Sequence, residues 1–273
     1  MTDLNDAVVL LTGATGGFGQ ELTQLLLAAG SRVICTDLDA VQLAHQAETL
    51  KHLTTNGELL ASIVADLATS KGCQSLFQQI TSLGLPVNIL INNAGIAMFG
   101  RMDETPPDQW ELMMQINLLT PMRLSSLFVA DMIDRRQGHI VNISSLAGWS
   151  TLMGLTHYSA SKFGLRGFSE GLGNEVKAFN IKVTAVYPFF SRTPILRSNS
   201  YGTLALSSNQ FPERFATDPH KIMVATLRGI QRNQAEVFPD LTAKVLSRLQ
   251  RYAPGLVHWG GRAISKKLNH SLE

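Results

Sequence analysis

Tyr158 and Lys162 stand four residues apart in the segment Tyr-Ser-Ala-Ser-Lys-Phe-Gly. On a helix that spacing projects both side chains from one face and sets an ammonium beside a phenol. A free tyrosine titrates near pH 10, so proton transfer near neutrality requires its phenolate to be favoured by about 2 to 3 pH units, or about 3 to 4 kcal/mol. One ammonium together with a positively charged cofactor ring in a partly dry site can supply that. The pair alone is also an ordinary surface-helix pair, so its surroundings must decide. Thirteen residues before Tyr158, the run Gly138-His139-Ile140-Val141-Asn142-Ile143-Ser144-Ser145 reads as a strand ending in hydroxyls.

A second constellation lies near the N-terminus, where Thr12-Gly13-Ala14-Thr15-Gly16-Gly17-Phe18-Gly19 follows an aliphatic run and opens a helical pattern. A glycine-rich turn there lets the backbone approach a pyrophosphate while the positive helix N-terminus faces the anion. This assigns Gly13, Thr15, Gly17, Phe18 and Gly19 to cofactor binding. Asp37 follows eighteen residues after Gly19, at the end of the second strand. A carboxylate at that place accepts hydrogen bonds from ribose hydroxyls and repels a 2′-phosphate, so NAD is expected ahead of NADP, which stays the alternative. Asp37 and Asp39 compete for the bland role of helix cap. Asp66, with Leu67 beside it, ends the third strand and reads either as an adenine contact or as a cap before the helix at Thr69. Asn92-Asn93-Ala94-Gly95 closes the fourth strand, and Asn93, Ala94 and Gly95 suit either a wall beside the cofactor or a plain turn.

The elements that must position these residues alternate regularly. Short aliphatic runs at 8–11, 32–36, 59–64, 89–91, 139–143, 182–186 and 236–238 predict strands. They are apolar nearly throughout, as strands covered on both faces should be. Between them lie stripes such as Phe18, Leu22, Leu25, Leu26 and Ala29, with Gly30 as a stop. The pattern predicts an α/β fold with a doubly wound, mainly parallel sheet and helices on both faces, forming one domain over 1–240. Residues 241–273 read as a basic helical extension rather than an independent domain. Between 189 and 216 Ser, Asn, Gly and Pro concentrate, as in a substrate lid or in a disordered surface loop.

With these motifs in this order, including Asn117 between the Asn-Asn-Ala-Gly turn and Ser145, the chain resembles a short-chain dehydrogenase/reductase of the single-domain type, over about 7–193. The resemblance implies a Rossmann sheet and a tetrad of Asn117, Ser145, Tyr158 and Lys162. Tyr158 would exchange a proton with the carbonyl or alcohol oxygen, which Ser145 holds, while a hydride passes to or from the nicotinamide. Lys162 would bind the nicotinamide ribose and lower the Tyr158 pKa, and Asn117 would hold a water that relays protons through Lys162. Pro188, Ser191 and Thr193 would line the nicotinamide side, with Thr193 contacting the carboxamide. Phe189 departs from the pattern, standing where the family usually has glycine, so the loop there is expected either to be strained or to follow another path. A homodimer or homotetramer is implied as well.

Composition narrows the rest. The net charge of +2 is too small for a nucleic-acid binder, but 241–273 carries Lys244, Arg248, Arg251, Arg262, Lys266 and Lys267 against Glu273 alone. Cys35 and Cys73 lack metal-ligand spacing and read as buried thiols, with no metal expected. The N-terminus does not resemble a signal peptide and no run of about 18 apolar residues occurs, so a cytoplasmic protein is expected. Ile96, Leu146, Trp149, Leu152, Met153, Phe189 and Phe190 are candidate substrate contacts and suggest an apolar small molecule. In 241–252, Leu241, Val245, Leu249 and Tyr252 form one helical stripe and Lys244, Arg248 and Arg251 another. With Trp259 beyond, this suits either peripheral contact with an anionic membrane or a helix packed on the body with a solvated basic edge. A dehydrogenase or reductase and a non-catalytic dinucleotide sensor are both compatible with such a fold, and an intact Ser145, Tyr158 and Lys162 favours the enzyme.

Overall fold

An unbroken aliphatic run forms the first strand, β1 (Val8–Thr12), buried at every position. The computed structural model describes residues 1–52, 55–197, 199–207, 216–255 and 257. Its main strands continue as β2 (Arg32–Asp37), β3 (Glu58–Val64) and β4 (Ile89–Asn92), with a two-residue β5 (Phe99–Gly100) before β6 (Gly138–Ile143) and β7 (Ile181–Val186). A second short strand, β8 (Ser200–Tyr201), precedes β9 (Glu236–Val237). The helices are α1 (Gly17–Ala28), α2 (Ala40–Lys51), α3 (Ser70–Ser82), α4 (Pro107–Met114), α5 (Thr120–Arg135), α6 (Thr156–Val176), α7 (Gly202–Ser207), α8 (Pro219–Gln231) and α9 (Leu241–Tyr252).

Seven strands pair in the order β3-β2-β1-β4-β6-β7-β9, and every pairing is parallel. The chain winds outward from β1 to β3 and then crosses back to β4 on the other side of β1. The connections after β1 and β4 therefore diverge and open a crevice at their C-terminal ends. The glycine turn and the Asn-Asn-Ala-Gly turn flank that crevice.

Strand alternation divides the core between two faces. Val9 and Leu11 pack with Leu22 and Leu26 of α1 and Met223 and Leu227 of α8. Val8 and Leu10 pack with Leu76 of α3, Phe128 of α5 and Leu172 of α6. Both cysteines are buried free thiols. Between α4 and α5 the helix widens into a π turn at Gln115–Leu119, a one-residue irregularity of the kind that re-aims a side chain.

The stretch expected to be a lid carries structure of its own as far as Ser207. β8 pairs in parallel with β5. The Thr203 backbone N–H and hydroxyl both donate to the Glu104 carboxylate, at 2.8 and 2.9 Å, and so tie down the start of α7. Residues 198 and 208–215 of this stretch lie outside the described residues.

Asp240 caps α9 by accepting the Ala243 N–H at 2.8 Å. The helix packs on the body, but through its small residues Ala243 and Ser247, with Leu246 beside them. Its apolar stripe points outward. Leu256, Trp259, Arg262, Lys266 and Lys267 lie outside the described residues. Among the described residues no helix is long and apolar enough to cross a membrane.

Candidate active site

Ser145 stands two residues after the end of β6 and caps a single 3-10 turn, its hydroxyl oxygen accepting the Ala147 N–H at 3.1 Å. That bond uses a lone pair and leaves the hydroxyl proton for another acceptor. Gly148 lets the turn lie flat on α6, because a Cβ there would stand 2.7 Å from the Lys162 carbonyl oxygen. The Ser145 hydroxyl is thereby set beside the Tyr158 phenol, whose pKa it pulls down.

Tyr158 lies in the first turn of α6 and Lys162 one turn further on, both on the face turned toward the sheet end. The Lys162 Nζ is 5.8 Å from the Tyr158 ring centroid and donates to the Ile143 carbonyl at 3.0 Å. Burial pushes the Lys162 ammonium down to about 8. Burial also pushes the Tyr158 phenol above its ordinary value, opposed by its hydrogen bond with Ser145. The depression expected from Lys162 is therefore not delivered by the chain's own groups. The reason is that desolvation disfavours both charged forms, and one ammonium that is itself weakened does not outweigh it.

Asn117 sits in the π turn, fully buried. Its amide oxygen accepts the Ile96 N–H at 2.9 Å and its amide nitrogen donates to the Ile96 carbonyl at 2.8 Å and to Ser161 Oγ at 3.2 Å. Ser161 Oγ in turn donates to the Tyr158 carbonyl at 2.7 Å. The side chain thus clamps the loop after β4 to the first turns of α6, so a water relay at this residue would have to be held by its main chain. Asn117 Oδ1 and Lys162 Nζ both lie beside the bare Cα of Gly95.

At the other end of the crevice, Asp37 Oδ2 accepts from the Thr15 N–H and hydroxyl at 2.9 and 2.7 Å, and Oδ1 accepts the Leu38 N–H at 2.8 Å. The cap of α2 is Asp39, which takes the Val41 and Gln42 N–H groups. Asp37 is thus free of the capping role and faces the glycine turn. The N-terminus of α1 has no side-chain cap, which leaves its first amides to an anion. Thr193 stands across from this turn, since a Cβ on Gly17 would meet its Cγ2 at 2.7 Å. Phe18 turns its ring into the core below α1.

Other expected contacts are placed differently. Asp66 accepts the Ala68 N–H at 3.0 Å and is exposed, while Thr69 caps α3. The Leu67 side chain is core, and its carbonyl receives the Thr120 hydroxyl. Asn93 spends its amide on the Thr12 and Gly13 carbonyls, at 3.0 and 2.9 Å, and so stitches the end of β4 to the glycine turn. Ser191 is buried and donates to the Thr217 carbonyl at 3.1 Å, and the Pro188 carbonyl accepts the Leu146 N–H at 2.9 Å.

Leu146 and Trp149, expected to face substrate, are only 5% and 4% exposed. They pack into a cluster with Tyr187 and Ala243, because the flat 3-10 turn aims them under α9 rather than over the crevice. Two guanidiniums lie over the Trp149 ring, Arg166 at 3.3 Å and Arg251 at 4.9 Å from its centroid. Phe189 and Phe190 meet edge to face, with centroids 4.9 Å apart. The Phe189 backbone lies outside the left-handed region, and its N–H donates to Asp240 Oδ2 at 3.0 Å. The loop is thus free of left-handed strain at Phe189 and is held by the same carboxylate that caps α9. Ile96 and Met153 are half-buried, and Leu152 is exposed.

Sequence reasoning passed over Thr12, whose hydroxyl collects the Asn93 and Ala94 N–H groups, both at 3.0 Å. It also missed the two-residue pairing of Phe99–Gly100 with Ser200–Tyr201. Only the polar Thr closing an aliphatic strand carried any signal.

The pattern of the family described as short chain dehydrogenase matches residues 7–202. A relative from Bos taurus, dehydrogenase/reductase SDR family member 7B, is 34% identical over 272 residues, covering 93% of this chain and 79% of its own. A short-chain dehydrogenase from Sphingobium yanoikuyae, solved in complex with NADPH, superposes with a TM-score of 0.77 at 26% identity over 92% of this chain and 95% of its own. A bulky-bulky ketone specific alcohol dehydrogenase from Comamonas testosteroni gives 0.75 at 26% identity over 93% and 94%. With its fold, crevice and motif order matched over most of its length, the chain belongs to the short-chain dehydrogenase family of oxidoreductases.

Proposed function

We propose that the protein moves a hydride between a nicotinamide dinucleotide and a bulky, apolar secondary alcohol or ketone, with Tyr158 as the proton-transfer group. The observation that carries this reading is the meeting of Ser145, Tyr158 and Lys162 at the mouth of the β1/β4 crevice. The crevice suits the cofactor, because α1 offers uncapped amides to a pyrophosphate and Asp37 stands where ribose hydroxyls would lie. When bound, the cofactor supplies or takes the hydride at the substrate carbon. In reduction the Tyr158 phenol gives its proton to the carbonyl oxygen, and the Ser145 hydroxyl donates a hydrogen bond to that same oxygen. The Lys162 ammonium stabilises the phenolate left behind. Asn117 keeps Tyr158 in register through Ser161. Assembly as a homodimer or homotetramer belongs to the same reading.

Asp37 favours NAD. An NADPH preference is the second reading, supported by the NADPH complex of the similar Sphingobium yanoikuyae enzyme. The half-buried Phe189, Phe190, Ile96 and Met153, with the likeness to the Comamonas testosteroni enzyme, support a large apolar ketone. A panel of aryl and long-chain ketones assayed with NADH and NADPH tests the reading. Turnover is expected, and Tyr158→Phe should lower kcat by about 10² to 10⁴-fold. Absence of turnover across the panel, or a Tyr158→Phe variant as active as the parent, overturns it.

A further inference from the structure

The helix α9 is docked the wrong way round for a core element. Ala243 and Ser247 face the body, while Leu241, Val245, Leu249 and Tyr252 are 76%, 47%, 37% and 79% exposed. At about 100° per residue these four share one arc, centred about 175° from Ala243 and Ser247. Lys244 and Arg248, both exposed, flank that arc on one side. Arg251 is drawn inward by Glu236 at 2.9 Å. The sequence holds no acidic residue from Leu241 until Glu273, so 241–273 carries +5, from six basic residues and one acidic. The remainder, at +2 overall, then carries −3.

We propose that the outward face of α9 docks on an anionic lipid bilayer, Leu241, Val245, Leu249 and Tyr252 entering the headgroup boundary and Lys244 and Arg248 meeting the lipid charge. Such a shallow site needs one short helix with apolar residues beside basic ones. The alternatives fit less well. A second copy packing through the same face would set two +5 segments against each other. Twelve residues also make a strip about 18 Å long and about 10 Å wide, roughly 200 Å² against the about 800 Å² per partner of a stable complex. The chain's own residues 256–273 carry Arg262, Lys266 and Lys267 and would meet Lys244 and Arg248 as like charges. The negative charge of the remaining chain turns the rest of the molecule away from such a surface.

The full-length protein is sedimented with vesicles of phosphatidylglycerol mixed with phosphatidylcholine, and with phosphatidylcholine alone. Binding to the mixed vesicles only, weakening as salt is raised, is the expected result. Lys244→Gln with Arg248→Gln should weaken it about thirtyfold, and Val245→Asp should reduce it to background. Thermal melts confirm that these variants remain folded. Equal binding to both vesicles, binding to neither, or retention of parental affinity by the α9 variants overturns the proposal. So does a change in sedimentation coefficient showing that the same substitutions dissociate a dimer. Loss of binding on removal of 256–273, with the α9 variants unaffected, would move the site to the tail and likewise overturn it.

Discussion

The two ends of the β1/β4 crevice are built on opposite plans. At the Asp37 end the groups facing a ligand are backbone amides and a carboxylate already satisfied by Thr15 and Leu38. At the Tyr158 end the working groups are side chains, and burial pushes Tyr158 up and Lys162 down, to about 8. Binding can rest on conformation alone, which folding supplies, whereas proton transfer needs ionisable groups kept in a place that disfavours their charge. The chemical end therefore costs stability and the nucleotide end does not.

Lys162→Met is the strongest way to break that comparison. Activity should fall about a hundredfold or more, while the folded state gains. The sign follows from proton binding: with a folded value near 8 against about 10.5 unfolded, the unfolded chain binds the proton more tightly between those values. The wild type thus carries its penalty fully below pH 8 and sheds it as the pH rises toward 10.5. The variant should be more stable by about 3 kcal/mol at pH 7, less the cost of about 1 kcal/mol of leaving the Ile143 carbonyl without its donor, and this advantage should vanish near pH 10.5. Denaturant melts at both pH values check it, and a loss of stability at pH 7 would break the contrast between the ends.

Asp37→Ser sharpens the comparison from the other side. Removing a charge that opposes a 2′-phosphate should shift the ratio of kcat/KM for NADPH over NADH by about tenfold or more. Stability should fall by about 1 kcal/mol through the Thr15 contacts. An unchanged ratio would show that the carboxylate does not read the ribose. Phe189→Gly should give the smallest effect, a change of a few fold in preference among ketones with little change in cofactor affinity. Equal loss of both would mean that the Asp240 clamp on the Phe189 N–H matters more than the ring.

All seven strands of the main sheet were legible, because the strands of a parallel sheet are apolar nearly throughout, the edge strand β3 less buried than the rest. The glycine turn, Asp37 and the Tyr158 and Lys162 pair were placed by local spacing, whereas Ser145 was singled out from Ser144 by the family resemblance. What stayed hidden depends on direction in three dimensions. Leu146 and Trp149 follow Ser145 closely, yet the 3-10 turn aims them into the core. The widening at Asn117 leaves no mark in the hydrophobic period, and β5 and β8 pair over two residues, too short to have a pattern. The stripe on α9 was visible, but not that small residues would win its buried face.

Trp149 has the guanidiniums of Arg166 and Arg251 over its ring. One arginine belongs to the helix of Tyr158 and Lys162, the other to the last turn of α9. The indole is thereby an optical probe wired to both. Any loosening of α9, at a lipid surface or in denaturant, would draw one cation from the ring and alter its fluorescence emission, four residues from Ser145, so the state of the outermost helix can be watched from beside the chemistry without a label.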